Sequence, residues 1–123
     1  MTKRALAGRR AEAAVADYLF ASGFAILGRN VRVGPLELDI VARKGPLVVV
    51  VEVRTRGPGS YERAFESITP AKRARVAKAV DRLWRKRLAY MAGVERMRLD
   101  AAAVVEERGT TSVEYVAGGM GPF

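Results

Sequence analysis

The sequence predicts a mixed α/β domain, order α-β-β-β-α-β-β, with helices packed on a sheet. Three observations carry this. Two segments, residues 3–22 and 70–90, place apolar residues at helical spacing. Between them lie three strand-like runs separated by Gly-Pro breakers. Two more strand-like runs follow the second helix. At 123 residues, half of them hydrophobic and 28% charged, the chain has the size and composition of one globular domain. That domain is expected over residues 1–117, with 118–123 as an irregular tail.

The first helix spans residues 3–22. Leu6, Val15 and Leu19, with small Ala and Gly between them, are expected to form its packing face, and Gly23 its stop. Phe24 to Val33 is the first strand and Gly34-Pro35 the first turn. Leu36 to Arg43 alternates apolar with polar residues, Lys44-Gly45-Pro46 turns the chain, and Leu47 to Arg54 is the third strand. Two short turns between three strands make an antiparallel meander. Residues 55–68, rich in Gly, Ser and charge, read as a loop. Thr69 is suited to cap a helix that has Pro70 at its first position and runs to about Tyr90. Its apolar stripe is Val76, Val80, Leu83, Trp84 and Leu88. Met97 to Val105 and Ser112 to Val116 complete the strands.

Composition excludes several chemistries. Cysteine and histidine are both absent, which removes disulfides, thiolate or imidazole metal sites, Cys nucleophiles and Ser-His-Asp triads. Catalysis, if present, falls to carboxylates, Lys, Arg, Ser, Thr or Tyr. Twenty-two basic against thirteen acidic residues give a net charge of +9, which favours a polyanionic partner. The longest apolar run, Leu47 to Val51, is too short to span a bilayer. The basic N-terminus lacks the apolar stretch of a signal peptide, so a cytoplasmic location is the simplest expectation.

The third strand is the most informative segment. Leu47 to Val53 is nearly all β-branched, the pattern of a central strand covered on both faces, yet Glu52 sits within it. A buried carboxylate there needs a cation, hydrogen bonds or a raised pKa. Arg54 lies two residues on, on the same side. Glu37 and Asp39 share one face of the second strand, and Glu37 suits a pairing with Arg32 across the first hairpin. If the turn is symmetric about Gly45-Pro46, Asp39 falls directly opposite Glu52. Opposed like charges repel, and a divalent cation with hard oxygen ligands, Mg²⁺ or Mn²⁺, reconciles them. Glu12 falls on the packing face of the first helix and Lys72 on the stripe of the second. These charged residues are therefore expected to point inward toward a common sheet face. Each also has an ordinary reading: Glu52 paired with Arg54 at a strand end, Asp39 on a half-solvated strand, Glu12 and Lys72 solvated on their helices.

The second helix is strongly basic. Lys72, Arg73, Arg75, Lys78, Arg82, Arg85, Lys86 and Arg87 fall within sixteen positions, interrupted by Asp81 alone among the acids. Few acidic partners stand at helical spacing, so a phosphate-contacting surface is expected, joined by Arg56. A membrane-surface helix is the competing reading, but the globular core needs the helix's modest apolar face. Gly57-Pro58-Gly59-Ser60 lacks the lysine and spacing of a nucleotide-binding P-loop.

Together, Gly8 with Glu12, Tyr18-Leu19, Gly23-Phe24, Arg29-Asn30, Leu36 to Ala42, Val51 to Arg56, Ile68 to Lys72 and Arg98-Leu99-Asp100 form a pattern. It resembles the uncharacterised bacterial YraN-like family over nearly the whole chain. The resemblance implies the restriction-endonuclease-like PD-(D/E)xK fold, similar to archaeal Holliday-junction resolvases, a mixed sheet flanked by helices. It implies Asp39 as the motif Asp, Glu52 as the motif Glu and Glu12 as the helical acid of the resolvase-like branch, all three holding Mg²⁺. Arg54 occupies the motif's lysine position, and Leu38 stands where the motif has proline. Arginine stays protonated and cannot readily act as a base, though it can stabilise phosphoryl charge. Lys72 is the candidate to supply a displaced amine. Resolvase-like relatives work as dimers, which leaves a homodimer open.

The expected function is nucleic-acid binding with metal-dependent endonuclease-like chemistry on DNA, branched DNA included, or on structured RNA, DNA being the favoured partner. The first alternative is a non-catalytic nucleic-acid-binding module with a degenerate site. The second is a protein-interaction scaffold using the basic surface.

Overall fold

In a computed structural model of the chain, the described residues are 2–56 and 68–120. Thr2 opens the first helix, its side-chain oxygen accepting the Ala5 N–H at 3.1 Å. Helix α1 (Lys3–Ala21) ends at Ser22, where Gly23 takes φ 94° and Phe24 N–H bonds back to Leu19 O at 2.9 Å. This glycine-terminated closure matches the expected stop. Strands β1 (Ala25–Val33), β2 (Leu36–Lys44) and β3 (Leu47–Arg56) follow as the antiparallel meander. Both turns are two-residue Gly-Pro loops, with Gly34 at φ 59° and Gly45 at φ 58°. A glycine first in such a loop gives the backbone twist that hairpins favour.

Thr69 caps helix α2 (Pro70–Lys86), its hydroxyl accepting the Lys72 N–H at 3.1 Å, with Pro70 at the first helical position as expected. β4 (Arg96–Glu107) then runs parallel to β3, and β5 (Thr110–Val116) returns antiparallel. A parallel neighbour requires a crossover, and α2 lies within it. The result is a five-stranded mixed sheet ordered β1-β2-β3-β4-β5.

β3 alternates between two cores. Val48 and Val50 pack with Val41, Leu99 and the α2 residues Val76, Val80 and Leu83. Leu47, Val49 and Val51 pack with Ile40, Ala42, Ala102 and the α1 residues Ala11, Val15 and Leu19. The two helices therefore cover opposite faces, which corrects the expectation that Glu12 and Lys72 share one. The expected coverage of β3 on both sides stands.

The packing face of α1 and several boundaries differ from expectation; most strand ends move by one or two residues, as in β4 (Arg96–Glu107) and β5 (Thr110–Val116). Leu6 is 45% exposed. The α1 contact line is Ala11, Val15 and Leu19 at four-residue steps, and at 3.6 residues per turn Leu6 sits half a turn away from Val15. α2 stops at Lys86 rather than Tyr90, because Arg87 leaves helical geometry and a tighter 3₁₀ turn over Leu88–Tyr90 tucks Leu88 into the core. β3 extends to Arg56, two residues beyond the expected end. The rest of the expected 55–68 loop, Gly57 to Ser60 included, lies outside the described residues apart from Ile68, which is buried. The start of the tail is also anchored: Met120 N–H bonds Leu99 O at 3.4 Å and its side chain is buried.

Candidate active site

The β2–β3 ladder runs from Lys44↔Leu47 to Ile40↔Val51, and these partners sum to the expected 91. One step further would pair Asp39 with Glu52. There the described strand pairing ends, while β2 continues along β1 to Leu36 and β3 continues along β4 to Arg56. The sheet thus parts between β2 and β3 at the two carboxylates. Asp39 Oδ2 accepts the Val53 N–H at 2.8 Å, so its side chain takes a donor that a strand neighbour would otherwise satisfy.

Glu52 lies two residues past Val50 of the α2 core and opens on that side, where Lys72 of α2 reaches it. Strict alternation breaks at Asp39, since Leu38 and Val41 both join the α2 core, but the charges of Lys72 and Arg54 act on Asp39 as they do on Glu52. Glu52 is only 5% exposed. Arg54 Nη2 stands 3.3 Å and Lys72 Nζ 3.6 Å from Glu52 Oε1. The structure therefore brings Asp39, Glu52, Arg54 and Lys72 together. Thr69 places Lys72 in the first turn of α2, and the β3 register places Arg54 two residues past Glu52.

Electrostatics mark the pair as strained. Burial, then the Asp39 charge, push the Glu52 carboxyl above the usual range, against the pull of Lys72 and Arg54. Burial also raises Asp39, against the Val53 hydrogen bond and the same two cations. Two hard oxygen donors that repel each other, Glu52 buried and Asp39 half-buried, fit a divalent cation of the Mg²⁺ class, which would lower both pKa values.

Glu12 is placed differently. It comes from α1, on the other face, with Arg29 Nη2 at 3.9 Å. Burial, then Asp39, raise its pKa, and a hydrogen bond from the Asn30 side chain opposes them. Among the described residues, no three carboxylates close around one point. Two atoms there are buried without a hydrogen-bond partner among the described residues, Glu12 Oε1 and Arg54 Nε. One can accept and the other can donate, so the region retains unused capacity of both kinds.

The basic helix divides by direction. Lys72 turns into the carboxylate site, Arg85 pairs with Asp81 at 2.9 Å, and Arg73 is exposed. Arg75, Lys78, Arg82 and Lys86 line cavities beside the β1–β2 turn. Arg56 is the last residue of β3. Glu37 stands across from Arg32 in the register of the first hairpin.

Sequence reasoning missed one buried charge. Asp100 is fully buried on β4. It accepts from Arg98 Nε at 2.7 Å and Nη2 at 3.0 Å, from Gly118 N–H at 2.8 Å, and from the Tyr115 hydroxyl. Burial and the Asp100 hydrogen bond hold Tyr115 well above the usual phenol range, and its ring stacks on Tyr18 at 5.3 Å. Asp100 aligns with Val51, so this cluster braces the strand that carries Glu52. The alternation of Arg98 and Asp100 hinted at an ion pair; Tyr115 and Gly118 gave no sequence signal.

Residues 11–104 match the family described as "Uncharacterised protein family UPF0102". The chain belongs to that family, the YraN-like one. It is 58% identical to the UPF0102 protein sce2912 of Sorangium cellulosum over 102 residues, covering 83% of this chain and 70% of the relative. A UPF0102 protein of Oleidesulfovibrio alaskensis is 49% identical over 59% of this chain and 36% of its own length. One from Kineococcus radiotolerans is 42% identical over 90% of both chains. The match contains Glu12, Asp39, Glu52, Arg54, Lys72 and Asp100. No helix among the described residues is long and apolar enough to cross a membrane.

Proposed function

We propose that this UPF0102 protein is a metal-dependent phosphodiesterase acting on nucleic acid, with DNA, branched DNA included, favoured over structured RNA. The observation that carries the reading is the parting of β2 from β3 at Asp39 and Glu52, with Lys72 and Arg54 against Glu52. Asp39 and Glu52 would hold Mg²⁺ or Mn²⁺, which when bound would supply Lewis-acid polarisation of the phosphate and lower the pKa of an attacking water. Glu12, whose Oε1 has Arg29 at 3.9 Å and no hydrogen-bond partner among the described residues, would add negative charge beside Asp39. Arg54 stays protonated and would bind a phosphate oxygen through its guanidinium, stabilising charge as it develops rather than moving a proton. Lys72 Nζ would leave Glu52 to orient the water or the phosphate, the part a motif lysine plays. The cations of α2 would hold the backbone.

A non-catalytic binder is the second reading, and Arg54 in the lysine position favours it. Asp39 and Glu52 oppose it, because a pure phosphate binder gains nothing from negative charge in its site. The test is incubation with duplex, single-stranded, flapped and four-way-junction DNA and a structured RNA, with Mg²⁺, Mn²⁺ or EDTA. The proposal expects products with metal alone. Salt-sensitive binding without products on any substrate would leave the binder reading in its place.

A further inference from the structure

Two cavities lie side by side between α2 and the first hairpin. One, of about 340 Å³, is lined by Arg75, Lys78 and Arg82 over a floor that includes Val33, Pro35 and Leu36. The other, of about 360 Å³, adds Arg32, Lys86 and Arg87 around Gly34. They share Val33 and Arg82, so they form one continuous groove. Six cations and no carboxylate line it among the described residues. The one acid of α2, Asp81, is occupied by Arg85.

Arg82 lies at the junction of the two cavities. Its Nη1 lies so close to the β1–β2 turn that a Cβ on Gly34 would meet it at 2.8 Å. Gly34 supplies the turn's positive φ, and the guanidinium of Arg82 rests against it. Arg75 is three residues from Lys72, so the groove begins one helical turn from the carboxylate site. From Lys72 to Lys86 the helix advances about 21 Å at 1.5 Å per residue. That length accommodates several successive phosphates of one strand.

The mixture of charge and apolar floor discriminates between ligand forms. A duplex flank presents sugar and phosphate, which would satisfy the cations and leave Val33, Pro35 and Leu36 wet. An unpaired strand offers phosphates to the cations and a base face to the floor in the same pocket, and a guanidinium plane can stack on a base. Each cavity is in the range that takes a small ligand such as a nucleotide unit.

We propose that this groove binds an unpaired nucleic-acid strand leaving the cleavage site, so that the preferred substrate carries a single-stranded segment beside the scissile phosphate. The proposal rests on the nuclease reading for its direction, but it is tested without metal or cleavage. In EDTA, fluorescence anisotropy compares a blunt duplex with the same duplex bearing a single-stranded tail. The expected preference for the tailed form is on the order of tenfold. Arg75→Ala with Arg82→Ala should erase that preference and lower the salt slope for the tailed form by about 1.4, at roughly 0.7 per lost single-strand phosphate contact. Leu36→Gln should weaken tailed binding at an unchanged salt slope, with circular dichroism checking its fold. Arg82→Lys, which keeps charge, should retain the slope.

Equal affinity for both duplexes in the wild type, or no binding of either, would overturn the groove. So would a double variant that weakens blunt and tailed binding alike. Tailed-duplex preference with no metal-dependent cleavage would leave the groove standing while removing the nuclease reading. Cleavage without that preference would do the reverse.

Discussion

Asp100→Ala should destabilise the fold severely. The carboxylate is fully buried and accepts four hydrogen bonds, two from one guanidinium, one from Gly118 N–H and one from the Tyr115 hydroxyl. Its removal leaves three groups facing an apolar core without their acceptor. Hydrogen bonds to charged groups contribute about 1.5–3 kcal/mol each, and breaking a buried charged network by deleting one member costs about 3–5 kcal/mol. That sum is bounded by the half-exposed Arg98, which can return to water. We expect a loss of about 3–5 kcal/mol for Ala and about 2–3 kcal/mol for Asn, which keeps the shape and one acceptor but faces several donors with an NH₂. Against a total stability of about 5–15 kcal/mol, the Ala variant would be marginal. The assay is urea unfolding followed by the single tryptophan, Trp84, which packs beside the α2 core. Melting should fall by on the order of 10–20 °C for Ala. An Asp100→Asn protein as stable as the wild type would refute the reasoning, because the network would then be ornament on a strand pairing that holds itself.

The raised pKa values of Asp39 and Glu52 mean that the metal-free folded state binds protons more readily than the unfolded chain. Their contribution to stability is full below about pH 4 and is lost as pH rises through the raised folded values. The stability of the wild type minus that of Glu52→Gln should therefore grow as pH falls from 7 toward 4, measured by urea titration; a flat difference would contradict the burial argument. Mn²⁺ at pH 7 should raise the melting temperature of the wild type and not of Glu52→Gln. Lys72→Met should cut cleavage by about 10²–10³, while Arg54→Lys, which restores the motif residue, should keep or raise it. Leu6→Gln should change stability by less than about 0.5 kcal/mol, whereas Val15→Ala should cost about 1–3 kcal/mol, both read from denaturation midpoints.

Much of the site was legible because two-residue turns make strand register a matter of arithmetic. Symmetry about Gly45-Pro46 placed Asp39 beside Glu52, and the ladder obeys it up to Ile40↔Val51. Lys72 followed from Thr69-Pro70 and the α2 stripe. What the sequence left hidden is tertiary. Helical periodicity says which residues face a sheet but not which face of it, so Glu12 was assigned to the wrong side. Alternation cannot show that β2 and β3 part at the carboxylates. The groove needs Arg32 and Gly34 of the hairpin beside Arg82 of α2, and Asp100 needs Tyr115 and Gly118, fifteen and eighteen residues away. The end of α2 was missed because burying Leu88 demanded a tighter turn than the 3.6-residue pattern allows.

The measurement that bears most directly on the central claim is cleavage by Glu52→Gln beside the wild type, on the same substrates with Mg²⁺ and with Mn²⁺, with binding followed in parallel. Removing one ligand charge while keeping its shape should abolish products and leave affinity equal or tighter, since the site loses a negative charge facing phosphate. Undiminished cleavage by Glu52→Gln would contradict the account and move the chemistry away from the parting of β2 and β3.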